Sequence, residues 1–226
     1  FPTTNALYPT IRSIYISGSH SYPVDAFVAE LNPDGSRLVY STYLGGSSMD
    51  AACGIALDSS DNAYVAGYTY STNFTTTNAI HSQLLCSNTF YFNCNVFVSQ
   101  IASNGTKLVF STYFGGTNFD VARSVAVDQS GYIYVAGYTS STNFQTTNAI
   151  QSAYGGSQDG FVFKLGPGGT NIIYSTYLGG GKADVAYGVD TDIGGNAYVA
   201  GQTFSTNFPL TNALQTILNG NGKTTT

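Results

Sequence analysis

The residues able to do chemistry in this chain fall into repeated and unrepeated sets. Asp50, Asp120 and Asp184 each stand four positions past a Gly-Gly pair. A ring of such carboxylates would line a channel mouth, and two of them facing across a cleft would be the apparatus of a glycoside hydrolase. Their recurrence in every copy argues instead for side chains that cap turns. Asp58, Asp128 and Asp192 recur at a second place, opening short runs of Ser, Gly, Gln and Asn. A lone carboxylate there offers too few oxygens for calcium, which takes six to eight, and suits a turn whose backbone amides it accepts. His20 and His81 belong to no repeated constellation, and no His-x-x-x-His, Cys-x-x-Cys or Gly-x-Ser-x-Gly pattern occurs. The sequence therefore assigns no catalytic residue, no metal ligand set and no cofactor site.

Cys86 and Cys94 bracket an insertion, Ser-Asn-Thr-Phe-Tyr-Phe-Asn, that the other copies lack. A disulfide between them would staple an irregular loop and would suit an oxidising, extracellular compartment; two unpaired thiols are the alternative. Cys53 takes the place of Arg123 and Tyr187, and a position that accepts all three is not a ligand. Asn73-Phe-Thr and Asn104-Gly-Thr are glycosylation sequons, which also arise by chance in a chain rich in Asn and Thr.

These residues are positioned by a repeat of fixed internal spacing. Phe-Val at Phe27, Phe97 and Phe161 is followed 14 positions later by Ser-Thr-Tyr-Leu/Phe-Gly-Gly, and 23 positions after that by Tyr-Val-Ala-Gly. Alternation and β-rich composition predict four strands per unit, in the first copy Asp25 to Leu31, Arg37 to Leu44, Cys53 to Asp58 and Asn62 to Thr69. Asn32-Pro-Asp-Gly and Gly166-Pro-Gly-Gly mark one hairpin, and the Asp58, Asp128 and Asp192 runs mark the other. A unit of this size cannot bury both faces of its own sheet and must stack on its copies. The 226 residues thus read as one quasi-repetitive domain, 1–226, with repeats starting near 1, 74, 144 and 208, the last one partial.

Composition narrows the partners. Only 8% of residues are charged, against roughly 25% in an average soluble chain, while 42% are hydrophobic. Such a chain folds, and it is kept in solution by hydroxyls and amides. Seven basic and twelve acidic side chains give a net charge of -5 with no Lys/Arg cluster, so nucleic acid is not an expected partner. No apolar run reaches the 18 or more residues of a membrane span, and the opening at Phe1 carries no signal-peptide pattern, as a mature or trimmed product would.

Length varies in one segment only, from the Phe of Phe-x-Thr-Thr-Asn-Ala to the next Phe-Val: 26, 23 and 17 residues in successive copies. Loops of stacked units project from one face, so the aromatic and aliphatic residues carried there are candidate contacts. They include Tyr8 and Tyr15 in the first copy and Leu84, Phe90, Tyr91 and Phe92 in the second, with Phe208 in the final partial copy. Contact with another chain is the leading reading, followed by covering of strand ends and by stacking on sugars. Tyr40, Tyr43, Tyr64 and Tyr68 recur inside strands and read as packing residues.

The runs Asp-Ala-Phe-Val-Ala-Glu-Leu-Asn-Pro-Asp-Gly at 25–35, Ser-Thr-Tyr-Leu-Gly-Gly at 41–46, Gly-Ile-Ala-Leu-Asp at 54–58 and Asn-Ala-Tyr-Val-Ala-Gly at 62–67 resemble the SBBP-type β-propeller repeat of bacterial and archaeal surface and secreted proteins. The resemblance implies four-stranded antiparallel blades and an extracellular or cell-surface scaffold, and it brings no catalytic residue with it. With the Gly-Ile-Ala-Leu-Asp strand innermost, the chain holds two whole blades plus two complementary halves, an outer pair at 25–46 and an inner pair at 184–207. Joined within one chain these make three blades, fewer than the four to eight that close a ring. The expectations are a longer polypeptide, a six-bladed ring shared by two chains, or a filament or surface array built by head-to-tail self-association, with other copies of the chain as partners. A glycan-binding module is the alternative function, and a propeller hydrolase a more distant one.

Overall fold

The computed structural model describes residues 1–13, 15–17, 20–22, 24–86 and 94–218. It is all-β. Two four-stranded antiparallel sheets hold β5 (Asp50–Leu57), β6 (Ala63–Thr69), β7 (Asn95–Ile101) and β8 (Leu108–Phe114), then β9 (Asp120–Val127), β10 (Ile133–Thr139), β11 (Asp159–Leu165) and β12 (Ile172–Leu178). The outer pair β3 (Ala26–Leu31) and β4 (Leu38–Leu44) precedes them, and the inner pair β13 (Asp184–Thr191) and β14 (Ala197–Thr203) follows. A short hairpin of β1 (Tyr15–Ser17) and β2 (His20–Tyr22) lies in the first insertion, where none was expected.

The two whole blades and two half-blades match the sequence count, and β5, β9 and β13 pack against one another as the innermost strands. Those strands begin at the aspartate, three residues before the predicted start at Cys53, because Asp50 still pairs with Thr69 across β6. Between Ala52 and Gly54 the register shifts by one residue, and the same bulge recurs in the other two copies. A bulge hides the extra residue from a period-two pattern, which is why alternation alone starts the strand too late.

Core clusters fill the layers between successive sheets. Val28, Tyr40 and Leu44 meet Val65 and Phe97; Val98, Phe110 and Phe114 meet Val125, Phe161 and Phe163; Ala126, Tyr134 and Val162 meet Ala186 and Val189. Phe114 stacks on Phe163 at 4.0 Å between ring centroids, joining the first whole blade to the second. Both faces of each complete blade are thus covered, as the near-continuous burial of β7 and β11 demands.

Candidate functional site

The repeated carboxylate forms a latch at the corner where one blade passes to the next. Asp50 Oδ2 accepts from Gly46 N at 2.7 Å and from Ser71 Oγ at 2.8 Å. Asp184 does the same with Gly180 N and Ser205 Oγ, both at 2.7 Å. Asp120 accepts from Gly116 N at 2.7 Å, Ser141 Oγ at 3.1 Å and Asn95 Nδ2 at 3.0 Å, and Thr139 donates to its other oxygen. The corner glycine has no room for a side chain, since a Cβ on Gly46 or Gly116 would stand 2.5–2.6 Å from the serine Cβ. The expected turn cap is therefore a buried strut between two turns.

A second polar residue meets each latch from the outer pair. Asn95 presents its amide to Asp120, but the other copies put an acid there, and Asp25 and Asp159 stand against Asp50 and Asp184 across Gly45 and Gly179. Each acid also takes loop amides, Arg12 N at 2.7 Å for Asp25 and Gly155 N at 2.7 Å for Asp159. Chemically this set can accept hydrogen bonds and share a proton. The Oδ2 atoms of Asp50, Asp159 and Asp184 face backbone amides inside the corner, and their Oδ1 atoms are buried there.

Burial pushes both Asp50 and Asp120 up to about 6, against the donors that favour the ionised form. A carboxyl raised in the folded state binds its proton more tightly there than in the unfolded chain. The stability it adds is complete below about pH 4 and is lost as pH rises through about 6. At about 1.4 kcal/mol per unit each residue contributes about 3 kcal/mol in full, of which about 2 kcal/mol is lost between pH 4.5 and pH 7.5. The thermal midpoint should therefore stand about 8–16 °C higher at pH 4.5 than at pH 7.5, and Asp120→Asn should remove part of that slope. A midpoint that rises towards pH 7.5 would show that the donors hold both carboxylates ionised.

Asp58, Asp128 and Asp192 accept two backbone amides of their own hairpins, as their turn chemistry predicts. Turn chemistry alone does not connect the Tyr of Tyr-Val-Ala-Gly with them, but Tyr64, Tyr134 and Tyr198 donate to the respective carboxylates at 3.2, 2.9 and 3.2 Å. The fixed six-residue offset was the available signal.

The expected staple is not formed: no disulfide joins Cys86 and Cys94. Both residues are buried beside the Asp120 latch, where Cys86 N donates to Asn95 Oδ1 at 2.9 Å and the Cys94 thiol lies 3.5 Å from the Asp120 carbonyl. Burial pushes Cys86 up to about 11 and Cys94 higher still, which keeps both as thiols. The sequon residue Asn73 is exposed but belongs to the repeat's own corner, taking Ser47 N at 2.8 Å as Asn143 takes Thr117 N at 3.0 Å. Asn104 is exposed on its hairpin and accepts from Thr106 Oγ at 2.8 Å.

Of the candidate contact residues, Tyr8 and Leu84 are half-buried against the first cluster. Tyr8 covers the outer strand directly, its carbonyl accepting from Tyr43 N at 3.1 Å. The backbone of Tyr15 lies in β1, and Phe90, Tyr91 and Phe92 fall outside the described residues. Phe208 is half-buried and lines an apolar groove with Leu178, Val185, Val199 and Gly201. His81 bonds to Gln145 through its ring at 2.5 Å. Among the described residues no group of three or more His, Cys, Asp or Glu is placed to hold a metal, and no helix is long and apolar enough to cross a membrane.

The unsatisfied surface lies at the two half-blades. Phe97 and Phe161 are fully buried, whereas Phe27 at the same repeat position is 56% exposed; Leu31 is 59% exposed where Ile101 and Leu165 are buried. On the other half, Tyr198 is 62% exposed although Tyr64 and Tyr134 are covered. Among the described residues, strands β3 and β14 each have one ladder partner, and each lacks the neighbour that β7 and β6 supply to each other in the whole blade.

No curated protein matches the chain. The family model described as a beta-propeller repeat, SBBP, matches residues 39–75, 109–145 and 173–209. Each match runs from the outer strand through the corner latch and inner pair to the Phe of the next segment, the geometry just described, and the chain belongs to the SBBP family of beta-propeller repeats, of which it carries three copies.

Proposed function

We propose that the protein is a non-enzymatic structural scaffold, extracellular or on the cell surface, that self-associates head to tail through shared blades into a filament or surface array. One observation carries this reading: the two half-blades are complementary in strand content and in register. In the whole blades Gly67 pairs with Phe97 and Gly137 with Phe161. The same register laid on the halves sets Gly201 of β14 opposite Phe27 of β3, and Ala197 opposite Leu31. Pairing the two would bury the side chains left out and would satisfy strand edges that otherwise promote uncontrolled association. A non-enzymatic role is supported by the repeated carboxylates, which are committed to the corner latches. A surface setting is supported by the low charge and the exposed sequon on the hairpin at Asn104.

Sedimentation and negative-stain imaging over a range of concentrations test the reading. Extended particles whose length grows with concentration are expected, and Leu31→Lys should reduce them to single chains. A compact single chain at every concentration would overturn the scaffold proposal. A closed two-chain particle would keep the shared blade and overturn the filament.

A further inference from the structure

The Phe-x-Thr-Thr-Asn-Ala segment recurs at 1, 74 and 144, and at 208 with Leu210 for the first Thr, and in each whole blade it leaves the inner pair and lies on the outer strand of the same blade. Thr77 exchanges both backbone hydrogen bonds with Ser111, and Thr147 with Ser175. Asn78 and Asn148 adopt the left-handed conformation and donate to the outer-strand carbonyls of Val109 and Ile173 at 3.0 and 2.9 Å. Phe74 stacks on Phe97 and Phe144 on Phe161, with centroids 4.6 and 4.7 Å apart.

Residues 1–8 occupy that place on the half-blade β3–β4. Thr4 exchanges both bonds with Ser41, Asn5 donates to Val39 O at 3.0 Å, and Phe1 lies 4.6 Å from Phe27. The copy at 208–215 holds the same local shape with no outer strand beneath it among the described residues. Asn212 is left-handed at φ 49°, and Gln215 Nε2 donates to Ile217 O as Gln151 Nε2 donates to Ala153 O. The turn that launches the segment is also in place, with Phe208 N on Ser205 O at 3.4 Å as Phe144 N is on Ser141 O at 3.3 Å. In the whole blades that turn is clamped by a tyrosine of the outer strand. Tyr113 donates to Ser71 O at 2.7 Å and accepts from Phe74 N at 2.9 Å, and Tyr177 treats Ser141 and Phe144 alike. Tyr43 is the matching residue of β4.

The groove of Leu178, Val185, Val199, Gly201 and Phe208 completes the match. At the second whole blade the equivalent residues Val135 and Phe144, with Phe114 of the preceding blade, share a cluster with Phe161, and Gly137 lies opposite it with the Val121 carbonyl alongside. The groove's partner by position is Phe27, which carries Phe1 on its ring. One ring position cannot hold both Phe1 and the Phe208 of a second copy.

We infer that residues 1–8 are a place-holder on the outer half-blade, and that head-to-tail docking exchanges them for residues 208–215 of a second copy. The inference rests on the shared-blade reading and adds to it a competition between two segments that agree at six of eight positions. Docking without exchange would leave the preformed 208–215 segment, with Leu214 fully exposed, off the outer strand it fits. The two segments reach the same partners on β4, so the place-holder lowers the affinity of the docking it precedes.

Two exposed asparagines separate the segments. Asn5→Ala removes the bond to Val39 from the place-holder alone and should tighten assembly about fivefold, while Asn212→Ala weakens the incoming segment and should loosen it by a similar factor. Hydrogen exchange on the assembled chain supplies the second reading: the Thr4 amide should lose its protection as assembly proceeds, and the Ser41 amide should keep it. Assembly with Thr4 still protected and neither asparagine mattering would overturn the exchange while leaving the shared blade intact. Absence of assembly in every variant, Asn5→Ala included, would remove the shared blade and the exchange together.

Discussion

Gly137→Ala is expected to cost more than about 3 kcal/mol, enough to lower the thermal midpoint by roughly 10 °C or to prevent folding. The cause is the bulge in the neighbouring inner strand. It places the Val121 carbonyl under residue 137, so that an added Cβ would fall on that oxygen and 2.8 Å from the Phe161 ring. Backbone oxygen cannot swing aside as the end of a flexible side chain can. Gly67 and Gly201 meet the Ala51 and Val185 carbonyls in the same way, which explains why Tyr-Val-Ala-Gly ends in glycine in all three copies. Gly188 serves as the control. It sits at the bulge of β13 with no atom within 4 Å of an added Cβ, and Gly188→Ala should leave stability unchanged within about 0.5 kcal/mol. Chemical denaturation of the two variants beside the parent measures both; equal effects would show that the bulge does not set the requirement.

That contrast marks how far the repeat can be read. Recurrence at fixed spacing identifies which positions the fold requires, so strand order, hairpin placement and the division into whole and half blades follow from comparing copies. It does not identify the partner that requires them. Gly137 recurs because of a carbonyl on the adjacent strand, 16 residues back in sequence, and Tyr64 recurs because of a carboxylate at the turn of its own hairpin. The latch was visible as a recurring aspartate, while its serine and threonine donors lay 19 to 21 residues downstream among many other hydroxyls. The cysteines misled for the opposite reason. They occur in one copy only, so nothing corrected the reading of two nearby thiols as a staple, and the structure spends their neighbourhood on Asn95 and Asp120 instead. Where copies differ, as in the insertion that carries the β1–β2 hairpin, comparison has nothing to work on.

The half-blades are the reverse case, because there the repeat says what a site lacks. A position buried in two copies and bare in a third lacks a neighbour whose chemistry can be read from the copies that possess it. For Phe27 the missing neighbours are a glycine opposite, two valines and a phenylalanine, all present on β13, β14 and the segment after them. This is why the proposed interaction surface is legible in a chain whose repeated acids are committed to turns.

Phe161→Ala and Phe27→Ala should therefore part company by condition. Phe161 is fully buried, with its ring 4.7 Å from Phe144 and 5.7 Å from Phe163, so its loss should cost about 3–5 kcal/mol in the dilute chain. Phe27 is more than half exposed and leans on Phe1 and Val28's strand, so its loss should cost less than about 1 kcal/mol under the same conditions. In the assembled state Phe27 would fill the groove beside Phe208 as Phe161 fills its own. Truncation there should then cost about 3 kcal/mol of association, close to a hundredfold in dissociation constant. Denaturation of dilute protein and sedimentation of concentrated protein measure the two halves of this expectation separately. If Phe27→Ala assembles as tightly as the parent, β3 does not enter a second copy's groove, however well the registers agree. If it assembles a hundredfold more weakly while unfolding normally, the same repeat position serves as core in one blade and as interface in another, and the difference between them is only which chain supplies the neighbour.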